Sequence, residues 1–414
     1  MTCVLGTVSY RQTSSDWWAY ISLQRRRSVC IIGSLAVACC IRSRVLNSSL
    51  SQRGEIMLRN SMSRLIICIL LILGAPSVNA GEGDHRDRTL RVMTRNMDLG
   101  SDFGYIFEAL ATNPNNQSAL LLAITKTYLE VLASHIPQRA DALAAEIQTT
   151  QPDLVALQEV STVSTGPFGA PATTVVVNQL DALLGALNRR GLHYAPVAVN
   201  KNADVTLPSL DASFQHLLEV RLVDSDVVLA RTDLSVSEFK LENLQKGNFA
   251  AAIVVPIGGA NVTFPSGWIA IDVKLRGKTY RFVDTHLETL SPVQAAQTSE
   301  LLSGPLNTDL PVVLAGDLNS DAHAPSFANG PAYGMLVSAG FLDVWNMLHP
   351  NDPGLTWPLF GEDPPLGPTS LIERIDLILT KGSAIQATGI LRTGTTAPFA
   401  SDHVGLVADF TLSP

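Results

Sequence analysis

Leu310-Pro311-Val312-Val313-Leu314-Ala315-Gly316-Asp317-Leu318-Asn319 contains four apolar residues, Val312–Ala315, that stop at a glycine and then deliver an acid and an amide. A short apolar run closed by a turn residue reads as a buried strand. Asp317 and Asn319 therefore stand at a strand's end, where a rigid scaffold can hold reactive groups.

The same shape recurs on both sides of this stretch. Leu90–Arg95 is strand-like and ends at Asn96, and Leu154–Leu157 ends just before Glu159. Tyr280–Thr285 delivers His286, Arg374–Thr380 carries Asp376, and Val404–Leu412 begins beside Asp402 and His403. Further strands are expected near Tyr194–Val199, Val227–Ala230, Phe249–Val255, Trp268–Leu275 and Ala384–Leu391, with Arg276-Gly277-Lys278 as a hairpin turn. Between them Pro137 opens a helix with the stripe Ala140, Leu143, Ala144 and Ile147, and other helices fall around Val177–Leu187 and Val293–Leu302. Helical spacing of Phe103, Ile106, Phe107 and Leu110, then of Leu121, Ile124, Tyr128 and Leu132, predicts a helical insertion near 102–136 that packs on the core. Helices and strands alternate, yet the hairpin-linked middle cannot be purely parallel. The fold class is α/β, with mixed sheets covered by helices. Pro350–Pro368 reads as a long surface loop.

Composition narrows the chemistry. With 46% hydrophobic and 16% charged residues, the chain can build a substantial core. Cys3, Cys30, Cys39, Cys40 and Cys68 all precede residue 70, which excludes disulfides, thiolate metal sites and cysteine nucleophiles from the body. The first eighty residues hold nine of the 29 basic side chains and only Asp16 and Glu55 of the 37 acidic ones, so the body is strongly acidic. Such a surface repels polyanions unless a bound metal or local basic patch reverses the field.

From Met57, Arg59 and Arg64 precede the apolar run Leu65–Leu73, and Val78 and Ala80 fit a cleavage site. This is the layout of a signal peptide over 57–80, giving a secreted or periplasmic protein that starts at Gly81 and keeps no membrane anchor. The apolar run is far short of the roughly 20 residues that span a bilayer. Residues 1–56 carry Arg25-Arg26-Arg27 ahead of Val29–Ile41 and read as a leader without fold, translation starting at Met57 or Met62. Residues 81–414 are then one catalytic domain, expected to act as a monomer.

Each polar residue at a strand end has an ordinary reading when taken singly: Asn96 can cap a turn, Glu159 and Asp317 can start helices, and Asp402 can accept a backbone hydrogen bond. Together they offer carboxylates, two amides and two histidines, with no nucleophile elbow, phosphate loop or dinucleotide fingerprint. Oxygen ligands of this kind suit Mg²⁺ or Mn²⁺, with Ca²⁺ also admissible, rather than Zn²⁺. A hard cation polarises a phosphoryl oxygen while a carboxylate or histidine takes a proton from water, so phosphoester hydrolysis fits the inventory.

Thr94-Arg95-Asn96, Leu157-Gln158-Glu159, Asp284-Thr285-His286-Leu287, Gly316-Asp317-Leu318-Asn319, Arg374-Ile375-Asp376-Leu377-Ile378-Leu379 and Ser401-Asp402-His403 follow one another in an order that resembles the endonuclease/exonuclease/phosphatase superfamily. The resemblance covers about residues 90–412 and looks most like secreted bacterial members without an assigned substrate. It implies a four-layer α/β sandwich, two mixed sheets face to face with helices outside. It implies a metal held principally by Glu159, with Asn96 nearby and Asp402 as a second-position ligand. Asp317 and Asn319 would position or deprotonate water. His403, oriented by Asp376, would share that work or bind phosphate, and His286 would hydrogen-bond the phosphate or protonate the leaving group.

On the same resemblance the expected activity is a metal-dependent phosphodiesterase, nuclease-like because Asp317-Leu318-Asn319-Ser320-Asp321 resembles the run in deoxyribonucleases. A phospholipase C-like or sphingomyelinase-like esterase is the alternative, for which Phe249–Trp268 could contain a membrane hairpin. A non-catalytic binding protein is the third. Glu373-Arg374-Ile375-Asp376 departs from the Cys-Asp-Arg motif of inositol 5-phosphatases, which argues against that branch. Tyr194 reads as core, and Trp345 and Trp357 as core or cleft wall, beside Asp343 and Thr356, which fit the same bacterial subgroup.

Overall fold

The computed structural model describes residues 89–275, 277–359 and 370–412. The leader (1–56), the signal segment (57–80), residues 81–88, Arg276 of the hairpin turn and most of the second half of the Pro350–Pro368 loop lie outside the described residues.

The chain opens with β1 (Thr89–Asn96), followed by α1 (Gly104–Thr112), α2 (Gln117–Ala133) and α3 (Ile136–Thr150). Next come β2 (Leu154–Gln158), β3 (Thr162–Pro167), β4 (Thr174–Asn178), α4 (Gln179–Arg189) and the long pair β5 (Tyr194–Leu210) and β6 (Leu217–Arg231). The middle holds β7 (Phe239–Asn248), β8 (Ile253–Ile257), β9 (Ala260–Phe264), β10 (Gly267–Leu275), β11 (Lys278–His286), α5 (Ser291–Ser303) and β12 (Val312–Asp317). It closes with α6 (Ala332–Ser338), β13 (Leu342–Asp343), α7 (Val344–Leu348), β14 (Asp376–Lys381), β15 (Ile385–Thr393) and β16 (Gly405–Leu412).

One sheet runs β15-β16-β1-β2-β6-β3-β4, with β5 also paired to β6, and the other runs β13-β14-β12-β11-β10-β7. Each is mixed, since β1 pairs parallel to β2 and β11 parallel to β12 among antiparallel neighbours. Successive side chains of a strand point to opposite faces, and strands buried on both sides are apolar throughout. Val313 and Ala315 accordingly join Leu154, Ala156, Val92, Leu406 and Phe282 between the sheets. Val312 and Leu314 face outward with Leu301, Ala332 and Leu336 of α5 and α6. On the far side Val155, Leu157 and Val227 meet Leu143 and Ile147 of α3 and Leu183 of α4. The result is the four-layer sandwich that the resemblance implies. Leu314 is fully buried, and truncating it to alanine would cost roughly 2–5 kcal/mol.

The insertion is helical as expected, α2 being capped by Asn116, whose side chain accepts the Ala119 N–H. It packs on a satellite cluster, however: Ile106, Leu120 and Ile124 lie against Val255 and Ile257 of the β8–β9 hairpin. That hairpin turns at Gly258-Gly259, both at positive φ, and carries no aromatic tip. The strand expected over Phe249–Val255 is interrupted, because the N–H groups of Ala250 and Ala251 go to the Glu300 carboxylate at 3.0 and 3.2 Å instead of to a ladder. Likewise Val177 belongs to β4, and α4 starts two residues later, where the Asn178 side chain accepts the Asp181 N–H.

Candidate active site

Register assembles the site. His286 pairs with Asp317 across β11 and β12, and Asp317 with Asp376 across β12 and β14, so three reactive residues stand in a row on three neighbouring strands. From the other sheet, Asn96 pairs with Gln158 across β1 and β2, placing Glu159 one residue beyond. Asp402 and His403 lie just before β16, the strand on the other side of β1. The two sheets thus present their polar strand ends to one another at one edge of the sandwich.

Asn96 Nδ2 donates to Glu159 Oε1 at 2.9 Å and to Asp317 Oδ2 at 3.0 Å, joining the sheets directly. Glu159 Oε2 accepts the Leu99 N–H at 2.9 Å. Asp317 Oδ1 accepts the Asn319 N–H at 2.9 Å, and Asn319 Nδ2 lies 3.1 Å from His286 Nε2 while donating to the Leu287 carbonyl. Asp317 Oδ2 is 3.5 Å from His286 Nε2 and 3.8 Å from His403 Nε2. His403 Nδ1 lies 2.9 Å from Asp376 Oδ2. These contacts link seven of the eight residues expected from sequence, and the eighth, Asp402, has its Oδ1 3.9 Å from His403 Nε2. Glu159 and Asn319 both adopt left-handed backbone, at φ 57° and 46°, a conformation unfavourable for non-glycine residues and held by the surrounding structure.

Two sets of donor atoms gather within 4.8 Å: those of Glu159, His286 and Asp317, and those of Asp317, Asp376 and His403. Asp376 Oδ1 is buried without a hydrogen-bond partner. A carboxylate-rich set with an unmet buried oxygen fits a hard divalent cation. Asp402 stands outside both sets. Its Oδ2 accepts the Trp357 indole N–H at 3.0 Å, and the indole is tilted beside the His403 ring, 6.4 Å between centroids. Trp357 is thus cleft wall, whereas Trp345 belongs to the central core.

Burial, and then the neighbouring Asp376 charge, raises the Asp317 carboxyl above its ordinary range. Burial also raises Asp402. At His403 burial opposes the imidazolium, but Asp376, Asp402 and Asp317 outweigh it and hold the ring well above the usual histidine value. His286 is raised in the same way, burial being outweighed by Asp317, Glu159, Asp224 and Glu288. Without a cation the edge is therefore rich in shared protons.

The Endonuclease/Exonuclease/phosphatase family model matches residues 133–403, well over half of the chain. The chain belongs to that family. Enzymes of the endonuclease/exonuclease/phosphatase family are mostly hydrolases of phosphoester bonds and generally use divalent metals. No curated protein matches the sequence. Among solved structures, a family protein from Leptotrichia buccalis is 14% identical over 78% of this chain and 100% of its own, with a TM-score of 0.48. Humanized D. rerio TDP2 is 16% identical over 78% and 100%, TM-score 0.46, and the human Nocturnin catalytic domain 17% identical over 79% and 94%, TM-score 0.44.

Several residues that serve this family site carry no isolated sequence signal. Arg95, fully buried, pairs with Glu146 at 3.1 Å and donates to the His403 carbonyl, so it fixes the loop before β16. Arg139 on α3 reaches Asp98 at 3.1 Å, donates to the Ala400 carbonyl at 3.0 Å and also binds the Met97 carbonyl. Gln158 Nε2 donates to Asp284 Oδ1 at 2.7 Å beneath Glu159. Arg95, Gln158 and Asp284 lie inside the quoted motifs, and that position next to reactive neighbours is the one signal the sequence offers for them. Arg139 sits on an otherwise apolar helix stripe. Burial pushes Asp224 up to about 6, Glu288 to about 7 and Asp284 to about 8, so the acidic surroundings extend beyond the expected residues.

Proposed function

We propose that this chain is a divalent-metal-dependent phosphodiesterase. The observation that carries the reading is the convergence of Glu159, His286, Asp317, Asn319, Asp376 and His403 from both sheets, with Asp317 between two histidines at 3.5 and 3.8 Å. Glu159 would hold a cation, Mg²⁺ or Mn²⁺, with the Asn96 amide beside it and with Asp317 or Asp402 completing the set. When bound, such an ion offsets phosphate charge and polarises a phosphoryl oxygen.

The chain's own groups would do the rest. Asp317, with its pKa raised by burial, takes the proton of the attacking water, whose position Asn319 helps to fix. His403, kept cationic by Asp376, donates to a phosphate oxygen. As the water oxygen bonds to phosphorus and the ester P–O bond breaks, His286 supplies the proton that the leaving oxygen needs. Every expected acid, amide and histidine is present, which supports catalysis over a purely binding role. Export belongs to the same proposal and rests on the signal-like segment ending at Ala80.

The nucleic-acid reading draws less support from Ser320 and Asp321 than their sequence suggests. Ser320 Oγ donates to the Gly330 carbonyl at 2.7 Å, and Asp321 Oδ1 accepts from His323 and Arg374 N–H groups, so both hold the loop. The test is a panel on the full chain with Mg²⁺, Mn²⁺ or Ca²⁺, comparing plasmid DNA, RNA, sphingomyelin and bis(p-nitrophenyl) phosphate. Metal-dependent turnover of a diester is expected, and no hydrolysis of any of the four substrates with any of the three cations would reject the diesterase assignment.

A further inference from the structure

The ribbon β5–β6 reaches well past the catalytic edge. Leu157, two residues before Glu159, pairs with Val227, and from there β6 can be followed outward to Leu217, which pairs with Leu210. At about 3.3 Å per residue the ribbon's turn stands roughly 30 Å beyond the strand ends. β3 leaves Glu159 in the same direction and runs along β6 until Pro167 meets Leu218, so the β3–β4 turn arrives beside that of the ribbon. The Gly169 N–H ties the two together by donating to Glu219 Oε1 at 3.0 Å.

Both turns end in apolar side chains. Phe168, Phe214 and Leu217 are 56%, 48% and 44% exposed. Phe214 stands at φ 61°, a backbone region that a bulky side chain occupies at a cost and that glycine tolerates. The turn is nevertheless firmly built: the Asp211 carboxylate accepts the Gln215 and His216 N–H groups at 3.1 and 3.3 Å, and its carbonyl accepts the Phe214 N–H at 2.9 Å. A phenylalanine held in solvent on unfavourable backbone adds nothing to the core, and such positions cluster where function requires them. The third exposed phenylalanine among the described residues, Phe327, lies in the loop that leaves the catalytic end of β12.

Charge says what such a tip can meet. Thr162–Asn178 holds no charged side chain, and Asp211–Val220 holds no lysine or arginine. The first cation along β6, Arg221, is paired with Asp204 at 2.7 Å. A polyanion or an anionic lipid therefore finds no counter-charge here. Two projecting apolar turns also differ from a groove, which receives a partner's side chains, whereas convex tips enter a soft apolar boundary.

We propose that the two turns dock the catalytic side of the protein on a lipid surface of zwitterionic headgroups, with Phe168, Phe214 and Leu217 entering the acyl boundary. The β8–β9 hairpin, without an aromatic tip, takes no part. This contact is separate from the strand ends and independent of the reaction there.

Partitioning of the full chain onto phosphatidylcholine vesicles, measured by sedimentation, tests this. Phe168→Ser and Phe214→Ser should each weaken partitioning on the order of tenfold, the loss of one buried phenylalanine. Phe214→Gly should weaken it as much while leaving the thermal midpoint level, since glycine suits the left-handed backbone. Phe168→Ser keeps the proposal testable if a variant at Phe214 does not fold. Val236→Ser, at an exposed apolar position beyond the opposite end of β6, should change nothing. The apolar run Leu65–Leu73 is common to every variant, so differences between variants are the readout. Adding phosphatidylserine to the vesicles should not strengthen binding, and a strong gain would overturn the headgroup assignment. Equal partitioning of the wild-type chain and all three tip variants, or no partitioning at all, would overturn the proposal. So would a wild-type chain that self-associates without vesicles beside tip variants that do not, which would assign the turns to a contact between two copies.

Discussion

His403 is held against Asp376, Nδ1 to Oδ2 at 2.9 Å, across the gap between the two sheets. Asp376 begins a strand of one sheet and His403 precedes the last strand of the other, so a single contact both closes the edge and orients the imidazole. The carboxylate fixes which ring nitrogen faces Asp317 and favours the charged ring.

Asp376→Asn should therefore lower kcat/KM by about 10²–10⁴-fold, the usual loss when an acid–base group is displaced. The fold should persist, since the amide has the same shape. The check is kcat/KM beside the thermal midpoint, and an unfolded variant would assign Asp376 to structure instead.

The metal-free protein should lose stability as pH rises. Burial pushes Asp284 up to about 8, while unfolded aspartates titrate near 3.9. Over that window the unfolded chain binds fewer protons than the folded one, so stability declines between roughly pH 4 and 8. His403 acts in the same sense: its raised pKa adds stability that is present below the unfolded value near 6.5 and is lost as pH climbs through the folded one. Thermal midpoints in EDTA from pH 5 to 8 should fall, and Asp284→Asn should flatten the slope. An unchanged slope in that variant would remove Asp284 as the source.

Arg139→Met should destabilise the protein by roughly 3–5 kcal/mol, because it leaves Asp98 without its partner among buried groups. The loop carrying Ala400 loses a hydrogen bond at the same time, so activity should fall along with the denaturation midpoint. A loss of activity with no loss of stability would place Arg139 in contact with substrate.

The strand ends were legible because each combines an apolar run with a polar stop, as in Val312–Asp317 and Leu154–Glu159. Their row-by-row alignment was not, since register depends on pairing between segments far apart in the chain. The ribbon β5–β6 was underestimated in length because its outer half mixes Lys201, Asp204 and Arg221 with apolar residues and lacks clean alternation. The two ion pairs Arg221–Asp204 and Lys201–Asp204 occupy that half. The helix expected from Val177 starts later because the branched side chains of Val175-Val176-Val177 favour a strand. The links Arg139–Asp98 and Trp357–Asp402 join residues 41 and 45 positions apart and exist only in the fold.

His286→Ala and His403→Ala should each stay folded and lose about 10²–10⁴-fold in rate. If both serve one transition state through Asp317, the double variant loses less than the product of the single losses, because groups acting as a unit are not additive. A fully multiplicative loss would mean that the two rings act independently.

The most direct test of the account is the rate of bis(p-nitrophenyl) phosphate hydrolysis as a function of added Mg²⁺ after treatment with EDTA, for the wild-type chain and for Glu159→Gln. No hydrolysis is expected in EDTA, with recovery on adding Mg²⁺ and a much higher Mg²⁺ requirement in the variant, since glutamine keeps the shape of Glu159 but not the charge a hard cation needs. Undiminished hydrolysis in EDTA, or identical Mg²⁺ curves for the two proteins, would contradict it.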